Sequence, residues 1–191
     1  MDDDLKKISP QPDQSRWHLE RREVLNTNKW YRFIHDQGTT DKGKNFEYFF
    51  IASEWSCLAV ALTEDNQLIL VRQYRYPINQ SSLEVPGGMR EAGLTPEELI
   101  KKEFLEETGY EAKSCQSIGK FYSAPAICND LVNIFLLRDC IKVSEQHLED
   151  SELGMEVDLY PVDQVYEMVQ DGEITHSLTL AALLLAWPYV L

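Results

Sequence analysis

The chain has 191 residues, 43% of them hydrophobic, and a formal net charge of −14 from 32 acidic and 18 basic residues. That length suits one domain, or a main domain with a small appendage. The charge argues against general nucleic-acid binding, where a basic footprint supplies most of the affinity. It also repels anionic substrates, so a phosphate site here needs local Arg, Lys or bound metal.

Residues 1 to about 15 are charged, proline-containing and without periodicity, which reads as a mobile tail. They lack the apolar stretch of a signal peptide. Within Trp17 to Ile51, Trp30–Ile34 and Phe46–Phe50 read as strands, joined by the turn-rich segment 35–44, HDQGTTDKGK. A small antiparallel N-terminal β unit over 16–55 follows from this. Cys57–Leu62 and Leu68–Tyr74 make a hairpin about the turn Glu64-Asp65-Asn66, and Ser82–Val85 is a short strand closed by Pro86 and a glycine pair. A helix comes next, then strands at Ser117–Tyr122, Leu131–Leu137 and Met155–Tyr160, a helix over Val162–Gln170, and a last helix over Ser177–Trp187 that stops at Pro188. The apolar run Leu178–Trp187 is about half of what a membrane span needs, so no membrane association is expected. Cys57, Cys115, Cys128 and Cys140 have neither C-x-x-C spacing nor a zinc-ligand histidine nearby. Reduced, buried thiols are expected, which fits the cytoplasm. Strands flanked by helices of different lengths predict an α/β fold with a mixed sheet and helices on both faces over 56–191.

The stretch Gly87–Tyr110, GGMREAGLTPEELIKKEFLEETGY, carries the chemistry. Thr95 is a fitting N-cap, Pro96 suits the first helical position, Glu98 completes a capping box, and Gly109 stands just past the end. The helix therefore spans Pro96 to Thr108. Glu103, Glu106 and Glu107 are spaced i, i+3, i+4 and share one face, on the side of Leu99 and Ile100, while Lys101 points away. Three carboxylates near a buried face call for cations, and hard oxygen-loving divalent ions fit best, Mg²⁺ first and Mn²⁺ next. A solvated acidic helix face is the plainer alternative.

Gly88 to Tyr110 resembles the Nudix box, G-x5-E-x7-R-E-U-x-E-E-x-G-U, with Gly88, Glu103, Phe104, Glu106, Glu107, Gly109 and Tyr110 in register. Leu94 replaces the first Glu of the pattern and Lys102 its Arg. Lys102 keeps the charge but not the bidentate fork. The flanks Val71–Pro77, Leu83–Gly88, Tyr122–Ala126 and Asp163–Ile174 resemble the ADP-ribose and nucleotide-sugar pyrophosphatase branch. The resemblance implies a Nudix α/β/α sandwich and Mg²⁺-dependent hydrolysis of a nucleoside diphosphate sugar such as ADP-ribose, with GDP-sugars as the nearest alternative. A Nudix-fold module that binds nucleotide without cleaving it is the other reading, motivated by Leu94 and Lys102. By carry-over, Glu103 and Glu107 are metal ligands, Glu106 is a ligand or orients water, and the Gly87 carbonyl completes the sphere. A late-loop carboxylate acts as base; Glu152 fits best, with Glu149 and Asp150 open. Arg72 and Arg75 fall on opposite strand faces, and the resemblance favours Arg75 for the diphosphate. Glu84 is read as a substrate or metal contact or as an ordinary strand carboxylate. Trp30 and Phe46 offer flat faces for a nucleobase or for core packing. Pro125, in a segment similar to the branch's S-P-G motif, is counted with the substrate-binding residues. The resemblance also implies a homodimer through the N-terminal strands.

Overall fold

A computed structural model describes residues 15–190. The tail read over residues 1 to about 15 lies, but for its last residue, outside them. Two compact units emerge: the chain to Trp55 together with Phe121–Val132, and Ser56–Lys120 together with Asn133 onward.

The first unit holds a three-stranded antiparallel sheet of β1 (Trp17–Thr27), β2 (Tyr31–Thr40) and β3 (Asn45–Ser53), in that order. Sequence patterning predicts two of these strands and misses β1. The reason is its exposure: WHLERREVLNT has no fully buried position, so no apolar alternation marks it. The expected ten-residue link also shrinks. His35–Thr40 continues β2 in register with β3, and only the few residues between Thr40 and Asn45 turn. Gly38, which reads as a turn residue, serves the strand instead. A Cβ there would stand 2.0 Å from the His18 carbonyl oxygen, so its neighbour strand passes too close for a side chain. Ile34 and Ala52 are fully buried with Phe50 against them, and Arg22 forms a bidentate pair with Asp36 at 2.7 and 2.6 Å on that side. The opposite face carries Tyr31, Phe33 and Phe49, each more than 40% exposed.

The second unit is built on a mixed sheet. Its central path runs β11 (Glu156–Pro161), β5 (Gln67–Arg75), β4 (Ser56–Thr63), β10 (Leu131–Lys142), β8 (Tyr110–Glu111). β6 (Gln80–Glu84) pairs with β5, β7 (Gly87–Met89) with β4, and β9 (Ser114–Tyr122) with β10. Six consecutive residues of β4, Cys57–Leu62, are buried, as are Leu68–Val71 of β5, the uninterrupted apolar signature of strands covered on both faces. The covers are α1 (Pro96–Thr108), α2 (Val162–Gln170) and α3 (Ser177–Val190). α2 turns Val162, Val165 and Met168 inward, and α3 turns Thr179, Ala182, Leu183, Ala186 and Val190. The second unit is thus the expected α/β/α sandwich with a mixed sheet, and the first unit is the expected small antiparallel β unit.

α1 has the predicted bounds and the predicted capping box: Thr95 N–H donates to Glu98 Oε2 at 2.8 Å, and Glu98 N–H to Thr95 Oγ1 at 3.3 Å. Gly109 ends it in the left-handed region at φ 73°. α3 departs from expectation by running through Pro188. Proline there forfeits the bond to the Leu184 carbonyl, and Leu184 is 74% exposed, so water can take that carbonyl.

The close approach at Gly38 gives a test. Gly38→Ala should destabilise the chain by about 1–3 kcal/mol through overpacking, read by urea unfolding. Unchanged stability would show that the neighbouring strand gives way to a methyl group and that the close approach is not limiting.

Candidate active site

The site begins where β6 meets β7. Val85 and Pro86 bring the chain into Gly87–Gly88, which open strand β7 instead of forming a turn, and β7 pairs with β4 so closely that a Cβ on Gly87 would lie 2.2 Å from the Cys57 carbonyl oxygen. On its other side β7 lies against α1. A Cβ on Gly88 would stand 2.4 Å from the Glu103 carboxyl carbon, so the glycine leaves the space that this carboxylate fills. Gly87 N–H donates to Glu107 Oε2 at 2.8 Å. The glycine pair and the two glutamates one helical turn apart are therefore a single packed feature.

That packing removes water from the carboxylates. Glu107 is 4% exposed. Burial holds its carboxyl well above the usual range; the Gly87 N–H and Arg75 oppose this, while Glu152 and Glu103 add to it. Glu103 is pushed up to about 7, mainly by burial, with Lys102 pulling down and Glu106, Glu152 and Glu149 pushing further up. Glu106 is less enclosed: Lys102 Nζ binds its Oε2 at 2.9 Å and Glu91 Oε2 at 3.0 Å. Lys102 thus holds a carboxylate on each side, and Glu91 supplies the negative partner that Leu94 does not. The inward phase expected for all three glutamates is fullest at Glu107 and weakest at Glu106. Lys101 is exposed and pairs with Glu97, as its phase predicts.

Glu152 lies in a 3₁₀ turn, Asp150–Glu152, where its Oε2 accepts the Glu149 N–H at 2.9 Å. It is half-buried, whereas Glu149 and Asp150 are exposed. Arg75 forks onto Glu84 at 2.8 and 2.6 Å, and the Glu84 side chain is only 3% exposed. Arg72 turns the other way, to Asp158 at 2.9 Å and Tyr160 at 3.2 Å, so the opposite-face reading of the two arginines holds. Trp30 and Pro125 belong to the first unit; Trp30 is 42% exposed beside Tyr31, and Phe46 packs edge-on against Trp17 at 5.0 Å.

Three partners carry no motif in the sequence. His176 Nδ1 lies 2.9 Å from Thr179 Oγ1 and 3.3 Å from Glu84 Oε2. Thr179 Oγ1 accepts the Val85 N–H at 3.0 Å, tying α3 to the approach to the glycine pair. Gln146 Nε2 donates to the Glu107 carbonyl at 2.6 Å. Only the helix-start spacing before α3 hints at His176 and Thr179; nothing local marks Gln146.

Among the described residues no three His, Cys, Asp or Glu side chains converge tightly enough to form a ready cage for a metal. The donor chemistry nonetheless fits one. The groups are all oxygen, two carboxylates are desolvated, and further carboxylates raise their affinity for positive charge. A hard cation that keeps part of its water shell suits such a partial donor set.

Comparison with known proteins agrees with this geometry. The Nudix domain family matches residues 53–182. An ADP-ribose pyrophosphatase of Bacillus subtilis is 30% identical over 124 residues, 65% of this chain and 67% of that protein. A GDP-mannose pyrophosphatase of Yersinia enterocolitica is 24% identical over 184 residues, covering 85% of this chain and 91% of that one. In fold, the chain superposes on a crystal structure described as an ADP compounds hydrolase with a TM-score of 0.81 at 17% identity, over 94% of this chain and 97% of that chain. With the glycine pair, the capped helix and its glutamates in register, the chain belongs to the Nudix family of hydrolases.

Proposed function

We propose that this chain hydrolyses the diphosphate of ADP-ribose or a related nucleoside diphosphate sugar with the help of Mg²⁺, Mn²⁺ being able to replace it. The observation that carries the reading is the pair Glu103 and Glu107, desolvated against Gly87–Gly88 and short of positive charge. The named activities of the B. subtilis and Y. enterocolitica relatives support the substrate class, and GDP-sugars stand next to ADP-ribose within it.

Glu103, Glu107 and the Gly87 carbonyl would hold the ion, and Glu106 would join them or orient water. When bound, the ion neutralises charge that develops on the diphosphate and lowers the pKa of attacking water. Glu152 serves as base, supported by its half-buried place in a loop whose charge reaches Glu103, Glu107 and Arg75. Arg75, oriented by the buried Glu84, offers its outer edge to phosphate oxygens; its side chain is 45% exposed while Glu84 holds its fork. Trp30 and Pro125 are proposed to meet the nucleoside end of the substrate.

The proposed division of labour places hydrolysis in 56–191 and homodimer formation in the β unit of 16–55. Phe49 stacks on His35 at 4.1 Å and on Phe33 at 6.1 Å, leaving an exposed aromatic patch on one sheet face. Patches of this kind mark contact surfaces. A cytoplasmic location is supported by the four cysteines being thiols. No helix among the described residues is long and apolar enough to cross a membrane.

Three outcomes are expected. Phosphatase-coupled assay over a panel of nucleotide sugars should show Mg²⁺-dependent turnover that Glu107→Gln lowers by orders of magnitude without unfolding the chain; binding without turnover across the panel would make this a nucleotide-binding module. In EDTA, Glu103 keeps its proton up to about pH 7 in the folded chain, whereas the unfolded chain releases it at about 4.3. The folded state then binds the extra proton, so metal-free stability should fall as pH rises from about 4.5 to 7, and Glu103→Gln should flatten that slope. A slope of the same size in the variant would detach it from Glu103. Sedimentation should show a dimer that Phe49→Lys dissociates; a wild-type monomer at micromolar concentration contradicts the interface.

A further inference from the structure

α1 ends without a basic residue in its last turn, yet its final carbonyls are met. The segment after β10 crosses the helix end. Lys142 Nζ donates to the Thr108 carbonyl at 3.0 Å, the Val143 and Ser144 N–H groups donate to the Gly109 carbonyl at 2.9 and 3.1 Å, and His147 N–H donates to the Glu106 carbonyl at 2.8 Å. Gln146 takes the remaining place. Its Nε2 donates to the Glu107 carbonyl at 2.6 Å and to the Met155 carbonyl at 3.3 Å. A primary amide has two N–H bonds, and this one uses both on backbone oxygens.

Those two oxygens lie on different elements. Glu107 is on the helix that carries the proposed metal ligands, and Met155 is the buried residue leading into β11. Between Gln146 and Met155 runs the loop 147–154, which contains Glu149, Asp150 and Glu152. The fork closes this loop at its neck and fastens the neck to the end of α1. The same neck is also held by the His147 N–H on the Glu106 carbonyl and by the half-buried Leu148. Leu153 is 89% exposed, so no apolar anchor holds the tip. Beyond the neck the ties are polar, among them Gln73 Nε2 to the Ser151 carbonyl at 3.4 Å, Met155 N–H to the Glu152 carbonyl at 2.9 Å and Glu152 N–H to the Glu149 carbonyl at 2.9 Å. Where burial contributes little, hydrogen bonds at the neck decide where the loop sits.

We infer that Gln146 is a positioning residue that sets the loop carboxylates, Glu152 foremost, at their working distance from Glu103 and Glu107. The inference rests on the reading of Glu152 as base. A displacement of about 1 Å in such a group can cost on the order of 100-fold in rate. No local sequence feature announces Gln146, because its two acceptors lie 39 residues before it and 9 after it.

The test is a double-mutant cycle between Gln146→Met, which keeps the length and removes the donors, and Glu152→Gln, with hydrogen exchange on the loop amides. Gln146→Met should lower kcat at least about tenfold with KM for ADP-ribose little changed, speed exchange over 147–154, and add little to the loss caused by Glu152→Gln alone. Unchanged kcat, or two losses that multiply fully, overturns the inference. If Glu152→Gln alone keeps full turnover, the reading of the base falls instead. Exchange then decides for Gln146 by itself: faster loop exchange upholds the clamp, and unchanged exchange removes it.

Discussion

Two carboxylates packed against the glycines of β7, Glu107 buried and Glu103 half-buried, are the constraint on which this molecule depends. Glu107 is fixed by the Gly87 N–H, and Glu103 fills the space that a side chain on Gly88 would need. Neither contact neutralises the charge, and the neighbouring Glu106, Glu149 and Glu152 deepen the deficit at Glu103. Buried like charges are costly unless a cation joins them. In a structural protein the arrangement would be a liability. In the proposed hydrolase it would attract a cation to the site despite an overall charge of −14.

The fold supplies the rigidity this needs. The buried strands β4 and β5 hold β7, with its glycines, and β6 by pairing, and the capping box and Gly109 fix both ends of α1. Val85, at the approach to β7, is held by Thr179 of α3. β7 and the helix are thus each set by independent elements, and the carboxylates stand where the two meet. Sites placed on regular elements hold geometry more tightly than sites on loops. Of the proposed carboxylates Glu152 alone sits in a loop, where the Gln146 amide bonds the Glu107 and Met155 carbonyls at the neck.

Much of this was legible in the residues, for local reasons. The bounds of α1 followed from Thr95, Pro96, Glu98 and Gly109, because caps act within one turn. The shared face of the glutamates followed from spacing alone. β1 was not legible, since an exposed strand has no reason to alternate, and 35–40 read as a turn because Gly38 and its threonines resemble turn chemistry when the neighbouring strand is unseen. Helix phase foresaw the buried side but not its gradient: Lys102 keeps Glu106 partly in water while Gly87 draws Glu107 inward. Gln146, His176 and Thr179 escaped because their partners are distant in sequence and generic in type. Where the pattern has a carboxylate this chain has Leu94, and Glu91, three residues earlier, is the one that reaches Lys102.

The central claim is that Glu103 and Glu107 are the two side chains that grip a divalent ion beside Gly87. Crystals soaked in Mn²⁺ and measured for anomalous scattering test it directly. The account predicts a peak within bonding distance of a carboxylate oxygen of Glu103, one of Glu107 and the Gly87 carbonyl oxygen, at about 2.0–2.3 Å each. A Mn²⁺ peak bound elsewhere, with Glu103 and Glu107 making no contact to it, would contradict the account.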